Sequence, residues 1–381
     1  MRIGIDVRCL MSKNISGVGE YAYNVLDNIF KIDRKNQYQL FYNSQTNVTE
    51  NLPQFHYSNV KYIGYSYPNK VLNTSLKFLK FPKIDKLLKQ VDCFFIPNFS
   101  FIALSKKCPK TITVHDLSFI RYAHFFSLKR KLWHHFINPL KLLNQCQQII
   151  AVSENTKKDL INLYNLPSKK IKVIYSGIDL NKYKTLDQGD LNLKLIKEKY
   201  QLPDNFIFYL GTIEPRKNIE TIIESFNQLK KNPQFSDLEL AIAGDKGWKY
   251  EQVFQFAEKS SFKDHINFIG YVNSQDKVYL YNLAKVFIFP SYYEGFGFPV
   301  LEAQACSTPV IASLNSSFPE ILADSAILIN PDNIQELSQT LTDLLQNKTS
   351  QQKHINKGLN NVKKFTWANC AQQTLEYLTG A

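Results

Sequence analysis

Short apolar runs recur along the chain, separated by stretches in which apolar positions repeat at helical spacing. Arg2–Arg8, Tyr38–Tyr42, Val60–Tyr65, Asp92–Asn98, the run from Lys110 into His115 and Asp116, Gln148–Ser153 and Lys170–Tyr175 read as buried strands. A second set begins at Asn205–Gly211 and continues through Leu238–Gly244, Ile266–Val272, Val286–Pro290, Thr308–Ser313 and Ala326–Asn330. Helical spacing is read after Ser16, over Phe125–Leu143, after Ser153, which serves as N-cap, over Ile219–Leu229, after Pro299, and over Ile334–Gln346 and Phe365–Leu378. Strands that are apolar throughout, alternating with helices, belong to parallel sheets covered on both faces. The expected fold is therefore α/β: two doubly wound domains facing across a cleft. The first would occupy 1–180, a polar linker 181–203, and the second 204–364, with a last helix over 365–381.

Composition narrows the class. At 381 residues the chain suits two domains, and 44% apolar with 21% charged residues is ordinary for a globular protein. No apolar run reaches the ~20 residues that span a bilayer. Met1-Arg2 leads directly into a strand pattern and not a secretory signal, so a cytoplasmic location is expected. Six scattered cysteines without C-x-x-C pairing read as reduced, buried thiols. The net charge of +13 is uneven: residues 1–180 hold 26 Lys+Arg against 11 Asp+Glu, and the remainder 20 against 22. The first half therefore faces something anionic: nucleic acid, a membrane surface or a phosphorylated acceptor. Between Leu72 and Val91, Lys77, Lys80, Lys83, Lys86 and Lys89 alternate with apolar and aromatic residues, interrupted by Pro82. Two readings stand for this segment, a membrane-surface element or a helix packed on the sheet with solvated lysines.

The densest chemistry lies in Tyr293–Pro309, Y-E-G-F-G-F-P-V-L-E-A-Q-A-C-S-T-P. A strand, a Gly-rich turn and a helix start let backbone amides approach an anion. Glu294 in the turn and Glu302 in the following apolar segment would accept hydrogen bonds from ribose and sugar hydroxyls. In G-T-I-E-P-R-K-N, Arg216 and Lys217 sit at a strand's carboxyl end beside a helix start. Cations there oppose the helix dipole, a cost that a bound diphosphate would offset. His115 ends a strand where ligands of open α/β sheets bind. Gly17 and Gly19 lack the third glycine and the acidic partner of a dinucleotide fingerprint, so an NAD site is not expected. No D-x-D motif occurs, and no divalent metal or other cofactor is expected.

These motifs resemble retaining GT-B glycosyltransferases of family 4. Glu294 and Glu302, with seven residues between them, match that family's E-x7-E signature around G-F-G-F-P, and E-P-R-K-N and V-H-D-L match its other motifs. Some members carry an Arg directly after the glycine where this chain has Thr212, so both phosphate contacts fall to Arg216 and Lys217. The resemblance implies transfer of a hexose from a nucleotide-sugar to a hydroxyl with retention at the anomeric carbon. Catalytic roles would fall to His115, near the donor sugar, and to Glu294. Glu294, Gly295, Phe296 and Gly297 would hold the donor sugar, Glu302 the ribose, and Tyr271 and Val272 the nucleobase. The loop with Gly17 would help to hold the donor phosphate or the acceptor, and the final helix would return to the first domain. Similarity to bacterial mannosyltransferases of surface-polysaccharide pathways favours GDP-mannose, with UDP-sugars as the alternative donors. The basic half fits a glycan or polyprenyl-diphosphate-linked acceptor at an anionic membrane face. Two other classes remain open, a GT-B-shaped sugar-nucleotide epimerase and a non-catalytic nucleic-acid-binding protein. A paired-carboxylate hydrolase is disfavoured, because its two acids must flank one bond.

Overall fold

The computed structural model describes residues 1–12, 16–48 and 50–380. The chain forms two compact units: 1–121 with 128–177 and 366–381, and 122–127 with 178–365. The first holds a parallel sheet of seven strands in the order β3-β2-β1-β4-β5-β6-β7. These strands are β1 (Arg2–Asp6), β2 (Gln37–Asn43), β3 (Val60–Tyr65), β4 (Cys93–Ile96), β5 (Lys110–Val114), β6 (Gln148–Ala151) and β7 (Ile171–Val173). The second holds six parallel strands in the order β10-β9-β8-β11-β12-β13. They are β8 (Phe206–Leu210), β9 (Glu239–Ala243), β10 (Ile266–Gly270), β11 (Val286–Phe289), β12 (Val310–Ser313) and β13 (Ile327–Ile329). Both are doubly wound sheets of the expected α/β class. Inner strands such as β4, β5, β8, β11 and β12 are buried at every residue, whereas the edge strands β3 and β10 are half-exposed. That is how central strands covered on both faces differ from edges.

In each sheet the strand order reverses at one place. The reversal falls between β1 and β4 in the first unit and between β8 and β11 in the second. Loops leaving the carboxyl ends of strands on either side of a reversal diverge to opposite faces and leave a crevice. β11 pairs directly with β8, Val286 opposite Ile207 and Phe287 opposite Phe208. The turns carrying Arg216-Lys217 and Glu294 are therefore neighbours in space, although Lys217 and Glu294 are 77 positions apart in the chain.

Several elements differ from the sequence expectations. Residues 181–203, read as a linker, fold with the second unit. Their Leu191–Lys199 helix buries Leu193 and Ile196 and packs against the Lys277–Leu283 helix. The helical stretch expected over 125–143 is broken. Ala123–Phe125 is a 3-10 turn, helices run over Leu128–Ile137 and Pro139–Gln145, and Asn138 between them is left-handed. Residues 122–127 fold with the second unit, where Phe126 stacks on Trp248 at 5.2 Å and the Trp248 indole N–H donates to the Phe125 carbonyl. A helix over Lys348–Val362 gave no apolar period because it buries only Gly358, Asn361 and Val362. Its anchor is polar: the Asn361 amide donates to Gln304 Oε1 at 3.1 Å and to the Ile321 carbonyl at 3.0 Å. The last helix, Trp367–Thr379, packs on the Gly17–Ile32 helix within the first unit. Among the described residues no helix is long and apolar enough to cross a membrane.

Candidate active site

The turn after β8 is shaped by its own sequence. Pro215 opens a 3-10 turn, and Asn218 adopts the left-handed conformation that lets the chain reverse into the Ile219–Lys230 helix. Asparagine is among the few non-glycine residues that enter that region readily. Its side-chain amide reaches the Pro290 carbonyl at 3.3 Å and the Pro331 carbonyl at 2.7 Å, tying the turn to the end of β11. Tyr292 N–H donates to the Arg216 carbonyl at 3.0 Å and closes the two turns together.

On this frame Arg216 and Lys217 converge on one oxygen, Glu294 Oε1. Arg216 Nη1 lies 3.0 Å from it, Lys217 Nζ is in ion-pair contact, and Ser291 Oγ donates to it at 2.6 Å. None of these contacts uses Oε2. Arg216 also meets Glu214 Oε1 at 2.7 Å, and Lys217 Nζ sits 4.8 Å from the centre of the Phe289 ring. All four charged groups are buried or nearly so. Burial by itself would raise the Glu294 carboxyl, but the Arg216 and Lys217 charges with the Lys217 and Ser291 hydrogen bonds outweigh it and bring the group down to about 2. Burial, reinforced by Arg216, lowers Lys217 against the pull of Glu294 and Glu214. Burial raises Glu214 against Arg216 and Lys217. The cluster therefore holds two cations whose field is largely spent on two carboxylates in a water-poor setting. A diphosphate would meet cations already fixed in place.

Glu294 continues into Gly295, Phe296 and Gly297. Gly297 has φ +94°, and a Cβ there would lie 2.5 Å from the Phe318 ring, so glycine is required before the Phe298–Ala305 helix. Ser316 Oγ accepts from Glu294 N–H at 2.9 Å and fixes the turn. Glu302, about one turn into that helix, is buried and pairs apart from the cations. Tyr281 Oη donates to its Oε2 at 2.8 Å, and Lys277 Nζ lies 3.6 Å from its Oε1. Removing the Tyr281 hydroxyl should leave a buried carboxylate short of one partner. Tyr281→Phe is expected to lower stability by about 1.5–3 kcal/mol in urea unfolding, with no loss of the Arg216–Glu294 cluster. Tyr271 and Val272 follow the edge strand β10. Tyr271 is exposed and Val272 buried, and neither is among the residues contacting the cation cluster.

Among the described residues one cavity of about 330 Å³ lies at the ends of β2 and β3 beside Tyr42, Asn47 and Tyr65, and another of about 310 Å³ lies beside Pro215, Asn218, Lys249 and Tyr292. The second borders the cation turn.

In the first unit His115 lies just past β5. Its Nε2 meets the Pro97 carbonyl, just past β4, at 2.9 Å, and Tyr21 packs edge-on against the ring at 4.8 Å. A carbonyl only accepts, so Nε2 carries the proton. Burial lowers the imidazole's pKa, outweighing that hydrogen bond and Asp116, so the neutral ring keeps a lone pair on Nδ1. Gly17 begins the Gly17–Ile32 helix, whose N-cap Ser16 accepts from Gly19 N–H. Sequence reading missed a second cluster at the β1–β4 reversal. Arg8 forks onto Asp6 with bonds of 2.9 and 2.7 Å, Ser100 Oγ donates to Asp6 at 2.7 Å, and Arg8 donates to the Phe101 carbonyl. Its only signal is the Asp-x-Arg at a strand's end. Glu214 and Ser291 were also missed. Each is a single polar residue paired two or three positions along its own turn, Glu214 with Arg216 and Ser291 with Glu294.

Residues 193–361 match the family described as glycosyl transferases group 1, and residues 15–182 the one described as glycosyltransferase family 4. The chain belongs to this family of glycosyltransferases and has its GT-B fold. It is 29% identical to O-antigen chain mannosyltransferase B of Escherichia coli over 286 residues, 73% of this chain and 72% of that one. Sucrose-phosphate synthase from Thermosynechococcus elongatus matches the fold with a TM-score of 0.76 at 18% identity, covering 100% of this chain and 98% of its own. Anabaena HepE, solved in complex with UDP-glucose, matches with a TM-score of 0.74 at 18% identity over 100% of both chains.

Proposed function

We propose that the protein transfers a hexose, with mannose favoured, from a nucleotide-diphosphate sugar to a hydroxyl of a glycan or lipid-linked saccharide, with retention and without a metal ion. The observation that carries this reading is the convergence of Arg216 and Lys217 at the β8–β11 reversal. Fixed buried cations stabilise the charge that grows on a departing diphosphate, the part a metal plays in other transferases. In this reading the diphosphate takes over the charge that Glu294 Oε1 now balances, and Glu294 Oε2 faces the donor sugar's hydroxyls. Gly295, Phe296 and Gly297 shape the sugar's seat, and Glu302 Oε1 beside Lys277 receives a ribose hydroxyl. Tyr271 and Val272 flank the base, the loop with Gly17 approaches the phosphates, and neutral His115 serves the reaction centre. GDP-mannose is favoured by the motifs and by the mannosyltransferase relative. UDP-sugars follow, in keeping with the donor bound by HepE.

The test is incubation with labelled GDP-mannose, UDP-glucose and a bacterial lipid extract, with the product's anomeric configuration read by NMR. Label in an α-linked glycolipid is expected. Nucleotide release without sugar transfer would turn the reading toward an epimerase, and no turnover of any nucleotide-sugar would refute it.

A further inference from the structure

The basic segment 72–91 packs on the sheet through Leu72, Leu76, Ile84 and Leu88, all buried. Packing leaves the end of its first helix, Asn69–Phe78, unexplained. Phe78, Leu79 and Phe81 are 65%, 73% and 66% exposed. The Leu128–Ile137 helix has the same character. Among its ten residues only Ile137 is buried, and His134 is turned inward to stack on Phe119 at 4.0 Å. Leu128, Leu132 and Phe136, at i, i+4 and i+8, with Trp133 beside them, form an outward apolar stripe, Leu128 being 78% exposed. The two elements adjoin within the first unit, since Lys77 Nζ lies 3.9 Å from the centre of the Phe136 ring. The charges of Lys141, Lys83 and Lys77 add to burial in lowering Lys80.

The charge pattern is one-sided. Residues 69–84 and 128–145 contain Lys70, Lys77, Lys80, Lys83, Lys129, Arg130, Lys131 and Lys141 and no Asp or Glu. We propose that this joint face, the Phe78–Phe81 end and the Leu128–Phe136 stripe with their rim of cations, seats the protein on an anionic phospholipid bilayer. The aliphatic and aromatic side chains enter the headgroup boundary while the lysines and Arg130 meet lipid phosphates. A second copy of the chain is the poorer occupant, because a two-fold contact would set this cationic rim against itself. Nucleic acid would use the cations but leave the leucines facing water. This deepens the reading that the acceptor is lipid-linked, and its test does not depend on turnover.

The test is co-sedimentation of the full chain with vesicles of phosphatidylglycerol mixed into phosphatidylcholine, against phosphatidylcholine alone. Binding to the anionic vesicles only, weakening with salt, is expected. The triple variant Phe78→Ser/Leu79→Ser/Phe81→Ser, the pair Leu132→Ser/Phe136→Ser and the pair Lys80→Glu/Lys83→Glu should each weaken vesicle affinity about ten-fold or more. Their urea unfolding midpoints and UDP- or GDP-sugar affinity should stay unchanged, because none of these side chains belongs to the buried core and all lie in the unit without the Arg216–Lys217 cluster. Equal binding to neutral vesicles, no vesicle binding, or unchanged binding by all three variants overturns the inference. So does a concentration-dependent dimer in sedimentation velocity that the variants abolish. A chain that turns over nucleotide-sugar yet ignores vesicles would sink only this inference. One that binds vesicles but never turns over a donor would sink only the proposed function.

Discussion

Arg216→Ala and Lys217→Ala are each expected to lower kcat with the nucleotide-sugar donor by about 10²–10³-fold, the usual cost of removing one fixed donor from a developing charge. In the proposed reaction the two serve one diphosphate, so the double variant should lose much less than the product of the single losses. The two changes are not equivalent for folding. Arg216 is held by Glu214 and the Tyr293 carbonyl as well as by Glu294, whereas Lys217 pairs with Glu294 over the Phe289 ring. Removing Arg216 takes the ion-pair partner from buried Glu214, whereas removing Lys217 leaves Glu294 still paired with Arg216, so Arg216→Ala should come nearer the about 3–5 kcal/mol cost of breaking a buried pair. Turnover must therefore be compared below the variants' melting temperatures. Arg216→Lys separates charge from geometry: it keeps the cation but loses the fork that joins Glu214 to Glu294, so it should recover stability better than turnover. Steady-state kinetics with thermal melts decide the matter. Unchanged kcat in folded Arg216→Ala and Lys217→Ala proteins would remove the diphosphate from this crevice.

The second large effect is the acid dependence of Glu294. Its carboxyl is held near 2 against an ordinary value of 4.5. A group lowered on folding stabilises the fold when ionised, so its contribution is complete above about 4.5 and fades as pH falls toward 2. The shift corresponds to about 3 kcal/mol. Glu294→Gln should be less stable than the parent at pH 7 by an amount of that order, and the two should draw together as pH is lowered through that window. Urea unfolding across the range measures it. Parallel curves for parent and variant would show that Arg216 and Lys217 do not hold this carboxylate. The same variant leaves both cations facing Glu214 alone. Its affinity for a nucleoside diphosphate should rise while hexose transfer falls, because the competing charge and the sugar's partner are lost together.

Much of this was legible in the chain itself. Apolar runs such as Val286–Phe289 and Phe206–Leu210 are strands because nothing polar interrupts them, and their alternation with helices names a doubly wound parallel sheet. Arg216, Lys217 and Glu294 could be named because unusual residue types sit at strand ends beside glycine and proline. The polar Lys348–Val362 helix was not legible, since its anchor is the Asn361–Gln304 hydrogen bond and not an apolar period. Nor was the place of 122–127, which depends on Trp248 receiving Phe125 and Phe126 across more than a hundred residues.

What the linear order of residues determined is therefore the local chemistry: which segments bury both faces, where the backbone must turn, and where cations and carboxylates stand at a strand's carboxyl end. The tertiary structure alone decided their partnerships. That Glu294 Oε1 collects Arg216 and Lys217 follows from β8 lying against β11, and Glu302 goes to Tyr281 and Lys277 because the Lys277–Leu283 helix packs against its own. Strand pairing is a long-range property, and the range of an ionic contact is a few ångströms. Until the sheet is assembled, the sequence neighbours of Arg216 and Lys217 do not state that Glu294 is a charge they will meet.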